Sequence, residues 1–107
     1  MTAVYRPQFW IDVEDGVAYL AERAPSGTVA RWHAAVMRAC ARIERRPDIG
    51  RPRHDLPWPD MRSLPVERFV RYLVFYRWSG NTLEILRVKH GMMELPELFL
   101  TEESNLE

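Results

Sequence analysis

The chain has 107 residues, 47% of them hydrophobic and 28% charged, which predicts one soluble domain able to fold without disulfides or a metal. A single cysteine, Cys40, excludes a disulfide framework and favours a reducing compartment. No apolar run reaches the roughly 18 residues of a membrane span, and the N-terminus lacks the pattern of a signal peptide. We therefore expect a cytoplasmic protein with no membrane partner.

The formal net charge of zero hides an uneven distribution. Five of the 15 acidic residues lie in residues 94–107, which hold no Lys or Arg, so residues 1–93 carry 10 acids against 15 bases. All but one of those bases are arginine, a side chain suited to bidentate binding of carboxylate and phosphate. A basic body of this kind favours an anionic partner, either nucleic acid or an acidic protein segment.

The N-terminal part predicts a short strand and a first helix. The strand covers residues 2–5 and ends at Pro7, which suits the first turn of a helix, and the helical spacing runs over residues 8–23. The acids of this helix are expected mostly opposite its apolar side, and they are Asp12, Glu14, Asp15 and Glu22. The apolar stripe is assigned to Trp10, Val13, Val17, Leu20 and Ala24.

The second helix is the clearest element of the sequence and runs over residues 28–45. Its alanines raise helix propensity, and its arginines form a basic outer side. The residues expected to pack are Val29, Trp32, Val36, Cys40 and Ile43. Pro47 ends the helix, and the two helices are expected to form an antiparallel hairpin on one face of a sheet.

Residues 48–60 predict a loop because Gly50 and three prolines exclude regular structure. Trp58 within this loop is expected to pack on the core. Residues 61–66 predict a short strand, in which Pro65 marks an edge or an end because it donates no hydrogen bond.

The central feature is a hairpin over residues 69–91, with its turn at residues 79–81. Both strands carry apolar side chains on both faces, so each face needs a cover. Strict alternation places Arg71 and Arg77 on the face of Phe75, and places Arg87 and Lys89 on that of Ile85. The residues predicted to lie between helices and sheet are Trp32, Val36, Leu73, Phe75 and Ile85.

The sequence contains no recognised catalytic or cofactor motif. His33, His54 and His90 fall on a helix, a loop and a strand, so we expect no metal site, no cofactor and no assigned catalytic residue. What remains is a cationic set: Arg51, Arg53, His54, Arg62, Arg68, Arg71, Arg87, Lys89 and His90. Such a set could hold an RNA backbone during cleavage, with His54, His90 or Glu67 moving protons, or could grip the carboxylates of a protein partner.

The order of these segments resembles the RelE/ParE superfamily of bacterial toxins, and within it the ParE branch. The resemblance covers residues 3–95. Its first part is the segment RRPDIGRPR after the second helix, which resembles the family's P-x-x-G-R at Pro47, Gly50 and Arg51. The second is MRSLPVERFVRYLVFYR, which resembles R-x-L-x-V before an aromatic strand ending in Tyr-Arg. The third is LEILRVKHG, which resembles the family's I-x-R-V-x-H-G ending.

The resemblance implies an α+β fold in which a short N-terminal strand and a two-helix antiparallel hairpin pack on a small antiparallel β-sheet. It also implies the toxin of a type II toxin–antitoxin module, neutralised by a ParD-like antitoxin. Such antitoxins are often ribbon-helix-helix proteins, and operator DNA would be bound only through them. ParE-like members inhibit DNA gyrase, whereas RelE-like members are ribosome-dependent mRNA endoribonucleases. The resemblance favours gyrase inhibition for this chain. The alternatives are a RelE-like mRNA endoribonuclease and an inactive member that only binds the antitoxin.

The residues expected to bind antitoxin or target are Arg62, Arg68, Arg71, Arg87, Lys89, His90, Leu95, Leu98 and Phe99. The sequence departs from the ParE-like pattern at Met93 and Glu94, where that pattern commonly has Arg and Asp. One toxin domain is expected over residues 1–100, followed by an acidic, disordered tail over residues 101–107.

Overall fold

The computed structural model describes residues 2–91, which form two helices, a short 3-10 helix and five strands. The elements in chain order are β1 (Val4–Tyr5), α1 (Pro7–Arg23), α2 (Thr28–Arg45), the 3-10 helix (Pro47–Ile49), β2 (Arg51–Pro52), β3 (Met61–Val66), β4 (Phe69–Ser79) and β5 (Thr82–His90). The sequence predicted the bounds of α2 and β3 correctly and placed the start of α1 one residue late.

The five strands form one mixed sheet in the order β1-β5-β4-β3-β2. Strands β2 to β5 are antiparallel neighbours, but β1 pairs with β5 in parallel, with Tyr5 opposite Ile85. A parallel pair needs a long connection along the chain. Here both helices and the other three strands separate β1 from β5 in the sequence. The α+β class is confirmed, and the antiparallel arrangement holds for all strands except β1.

The hairpin of β4 and β5 is central, as predicted, and turns at Gly80, whose φ of 63° is in the left-handed region that glycine tolerates. A β-bulge interrupts the pairing: Phe75 lies opposite Arg87, but Tyr76 lies opposite Ile85. Leu86 is therefore an extra residue in β5 and reverses the alternation beyond it. Val88 joins Ile85 in the same core cluster, so the prediction that Arg87 and Lys89 share the face of Ile85 is wrong.

The main core lies between the two helices and one face of the sheet. Trp32 and Val36 are fully buried there with Ile85, as predicted. The Trp32 ring packs directly on Gly16, where a Cβ atom would overlap the ring. Gly16 lowers helix propensity but allows the close approach of α1 and α2.

A second cluster covers the other face of the sheet. It consists of Leu56, Trp58, Met61, Phe75 and Leu86, with Leu73 packed against it. The prediction that Leu73 and Phe75 lie beneath the helices is therefore wrong. Adjacent residues of a strand point to opposite faces, and β4 gives its even-numbered core residues to the helices. The loop before β3 covers the other face, and Trp58 packs there as expected.

Within residues 2–91, neither helix is long and apolar enough to cross a membrane. Leu95, Leu98 and Phe99, and the predicted disordered segment 101–107, lie outside the described residues.

Candidate functional site

The basic residues at the end of β5 meet a buried carboxylate from α1. Asp12 accepts hydrogen bonds from Arg87 Nε at 2.7 Å and Arg87 Nη2 at 3.0 Å, and its Oδ1 lies 3.2 Å from Lys89 Nζ. The Asp12 side chain is fully buried, and Arg87 is 5% exposed. The Arg87 guanidinium is therefore part of the interior and does not form part of an open binding surface.

The short length of β1 explains why a carboxylate lies here. β1 pairs with β5 only at Glu84 and Ile85, so within residues 2–91 no strand lies beside the following residues of β5 on that side. Asp12 Oδ2 accepts the N–H of Val88 at 3.2 Å and so satisfies a backbone donor on this open edge. One side chain thus ties α1 to the strand and neutralises a buried guanidinium.

The sequence predicts Asp12 among the acids opposite the apolar side of α1, but the structure buries Asp12 on the core side of the helix. The buried residues of α1 are Phe9, Asp12 and Val13. Val17 and Leu20 pack against the core as predicted, whereas Trp10 is 43% exposed. The available signal was that Asp12 follows Phe9 by three residues, on one helical face. An acid on an apolar face indicates a buried cation nearby.

A groove of about 430 Å³ opens beside this cluster, between α1 and the ends of β4 and β5. Its lining residues are Asp12, Asp15, Gly16, Tyr19, Tyr72, Val88, Lys89 and His90. The rings of His90 and Tyr72 meet edge to face, with centroids 5.4 Å apart. Of the basic residues predicted at this end of the sheet, Lys89 and His90 are thus partly exposed at one groove.

Arg62 on β3 holds the segment that follows α2. Its Nη1 donates to the carbonyl oxygens of Asp48 at 3.0 Å and Gly50 at 2.7 Å, and its guanidinium lies 5.6 Å from the centre of the Trp78 ring. Because these hydrogen bonds go to the chain's own backbone, Arg62 stabilises the position of residues 48–50.

Tyr76 holds the same segment from inside the core. Its hydroxyl donates to the carbonyl of Pro47 at 2.6 Å and accepts the N–H of Gly50 at 2.7 Å. Burial raises the pKa of Tyr76, which keeps the phenol protonated as a donor. A Cβ atom on Gly50 would lie 2.5 Å from the Tyr76 hydroxyl, so this position accepts only glycine without movement of the ring. These contacts give the P-x-x-G-R segment a structural role.

Arg53 fixes the loop over the second face of the sheet. Its Nε and Nη2 donate to the two carboxylate oxygens of Asp55 at 2.9 Å and 2.8 Å, and its Nη1 donates to Ser63 Oγ at 3.1 Å. The hydrogen bonds from Arg53 lower the pKa of Asp55 to about 2. A cavity of about 760 Å³ lies against this loop, with His54 and Trp58 among its lining residues.

The cationic set predicted from the sequence is therefore divided among several places. Arg87, Arg62 and Arg53 bind groups of the chain itself, whereas Arg68 and Arg71 are exposed near the start of β4. His54 and His90 line two different cavities. In the described part of the chain, no group of three or more His, Cys, Asp or Glu residues is placed to hold a metal ion.

Comparisons with known proteins agree with this fold. Residues 3–95 match the family model described as the ParE toxin of the type II toxin–antitoxin system parDE. A solved chain described as the chromosomal ParDE TA system from P. aeruginosa has the same fold, with a TM-score of 0.69 at 16% identity over 84% of this chain and 95% of that chain. No curated protein sequence matches the chain. Because the family match spans most of the sequence, the chain belongs to the ParE toxins of type II toxin–antitoxin systems.

Proposed function

We propose that this ParE toxin acts in the cytoplasm by inhibiting DNA gyrase and is neutralised by a cognate ParD-like antitoxin. The observation that carries the proposal is the family match over residues 3–95. Operator DNA is then reached only through the antitoxin.

The side-chain arrangement supports a protein-binding toxin over a nuclease. Phosphate cleavage by a 2′-hydroxyl requires a proton acceptor, a proton donor and free cations that converge on one phosphate. Arg53, Arg62 and Arg87 donate to groups of the chain itself, and the two candidate histidines line separate cavities.

The exposed basic residues support one surface as the binding site for the antitoxin. Arg68 and Arg71 are exposed near the start of β4, and Lys89 and His90 are partly exposed beside them at the end of β5. An acidic partner segment that lies across these residues gains charge-assisted hydrogen bonds. Leu95, Leu98 and Phe99 follow closely in the sequence and supply apolar contacts once the partner segment is bound. Arg87 is not included, because its guanidinium is buried against Asp12.

The order of events after induction in cells tests this function. Replication should stall and DNA-damage signalling should rise before translation falls, and co-expression of the neighbouring antitoxin gene should abolish both effects. An Arg68→Glu/Arg71→Glu variant should escape neutralisation, and Arg45→Glu, an exposed charge reversal at the end of α2, is the matched control. Translation that falls first, with cleaved mRNA on ribosomes, would reject gyrase as the target and favour the endoribonuclease.

A further inference from the structure

A cavity of about 700 Å³ lies between α2 and the turn that joins β3 to β4. It is separate from the groove beside Asp12 and from the cavity under the loop. Its lining residues are Ala30, Arg31, Ala34, Arg38, Arg68 and Phe69. The cavity thus has three arginines around a floor of two alanines and one half-buried aromatic ring.

The helical spacing of α2 builds one wall of this cavity. Arg31, Ala34 and Arg38 are related by three and seven positions, so they lie along one face of the helix. The small side chain of Ala34 leaves a depression in the helix surface between the long side chains of Arg31 and Arg38. All three residues are exposed, and this face points away from the main core.

The opposite wall comes from a strained turn. Arg68 has a φ of 70°, a left-handed conformation that is unfavourable for residues with a Cβ atom. Arg31 donates to the Thr28 hydroxyl at 3.1 Å, but within residues 2–91 neither Arg38 nor Arg68 forms an ion pair. Three cations around one cavity repel each other, which favours an anionic occupant.

The described chain ends close to this cavity. The N–H of Gly91 donates to the carbonyl of Arg71 at 2.7 Å, and His90 lies opposite Tyr72. The chain beyond Gly91 therefore leaves beside the first residues of β4. From Arg71 to Phe69, a lining residue of the cavity, the distance along the strand is about 7 Å.

The segment that follows has the composition that this cavity requires. Residues 92–107 contain five glutamates and no Lys or Arg, together with Leu95, Leu98 and Phe99. Glu94 and Glu97 are three and six residues beyond Gly91, and an extended chain of those lengths reaches about 10 Å and about 20 Å. Both lengths exceed the separation of about 7 Å along β4 between Arg71, which Gly91 contacts, and Phe69 in the cavity lining.

We propose that the cavity formed by Arg31, Arg38 and Arg68 is the docking site of the chain's own C-terminal segment, residues 92–107. The glutamates bind the arginines, and the apolar side chains lie on Ala30, Ala34 and Phe69. Because the segment is covalently attached nearby, its effective concentration at the cavity is high, so a separate acidic peptide must compete with it. The proposal does not depend on gyrase being the target.

Paramagnetic broadening in the full-length protein tests this docking. A spin label on His33→Cys, an exposed position of α2 beside the cavity, should broaden the amide signals of residues 94–100. The buried native thiol of Cys40, whose pKa burial raises to about 12, should not react with the label. The matched control carries the label on Asn81→Cys, at the other end of the hairpin, and should leave those signals unbroadened.

A charge reversal separates docking from chance proximity. Arg31→Glu/Arg38→Glu should restore at least half of the lost signal intensity, as should high salt, which screens exposed ion pairs. Arg45→Glu, a reversal on α2 outside the cavity, should preserve the broadening. Broadening that survives the double reversal, or that is absent in the labelled wild type, would overturn the proposal. Transfer of broadening from labelled to unlabelled molecules in a mixture would assign the cavity to the segment of a second copy and would also overturn it.

Discussion

Asp12 is predicted from the sequence to lie on the polar side of α1, but in the structure it is a buried partner of Arg87. A carboxylate removed from water is unfavourable unless it is paired and hydrogen-bonded, and Asp12 has both kinds of partner in Arg87 and the Val88 N–H. The sequence indicated basic residues at the end of β5 but not their internal partner. Pairing between a helix and a distant strand depends on tertiary packing, which periodicity alone does not specify.

Asp12→Asn should lower the free energy of unfolding by about 3–5 kcal/mol, because it removes the buried carboxylate charge to which Arg87 donates two hydrogen bonds. Urea unfolding of the purified protein measures the change. Asp15→Asn, which removes an exposed acid from the same helix, should change the free energy by less than about 0.5 kcal/mol. Equal effects of the two variants would show that the buried pair has no special role.

The Asp55–Arg53 pair gives stability a defined pH dependence. In the folded protein the pKa of Asp55 is about 2, below its ordinary value of 3.8. The contribution of the ionised Asp55 carboxylate to stability is therefore present above about pH 4 and is lost as the pH falls towards 2. Asp55→Asn should abolish this part of the acid dependence. The difference in urea midpoint between wild type and Asp55→Asn should shrink from pH 5 to pH 2. A constant difference over that range would contradict the assignment.

At the scale of elements, the sequence indicated both helices, the third strand and the central hairpin. The Leu86 bulge was not predictable, because an extra residue leaves the apolar run of β5 unbroken and changes only which residues oppose β4. The same limit explains the misplacement of Phe75. An apolar strand with two buried faces does not reveal which face meets the helices.

Phe75→Ala should lower the free energy of unfolding by about 3–5 kcal/mol, because it leaves a cavity beneath the loop that carries Trp58. Val70→Ala on the same strand is the control, since Val70 is 66% exposed, and should have little effect. Thermal unfolding compares the two variants. A Phe75→Ala protein that melts within a degree or two of wild type would show that the second cluster contributes little stability.

At the scale of the whole molecule, the residues that resemble the family motifs largely build the fold. Tyr76, Gly50 and Arg62 hold the segment after α2, and Arg87 binds Asp12. The fold was therefore predictable from the same residues that identify the family. The binding surface was less predictable from the sequence. The arginines that are free to bind a partner are those that form no hydrogen bonds within the chain, and these depend on tertiary packing.

The histidines test whether any proton-transfer chemistry underlies toxicity. His54→Ala and His90→Ala should each leave toxicity within about tenfold of wild type, since a general acid or base normally contributes 10²–10⁴-fold. Cell survival after induction measures this at matched protein levels. His90 contacts the Tyr72 ring, so the folding of its variant must be checked first by circular dichroism. A folded histidine variant that loses all toxicity would indicate a catalytic role.

Gyrase supercoiling with the purified protein tests the proposed function most directly. We predict that the protein blocks supercoiling of relaxed plasmid in a concentration-dependent manner, and that an equimolar amount of the cognate antitoxin restores it. His54→Ala should inhibit as strongly as wild type, because no proton transfer is involved. Unimpaired supercoiling at a large excess of toxin, together with mRNA cleavage on ribosomes that His54→Ala or His90→Ala abolishes, would contradict the account.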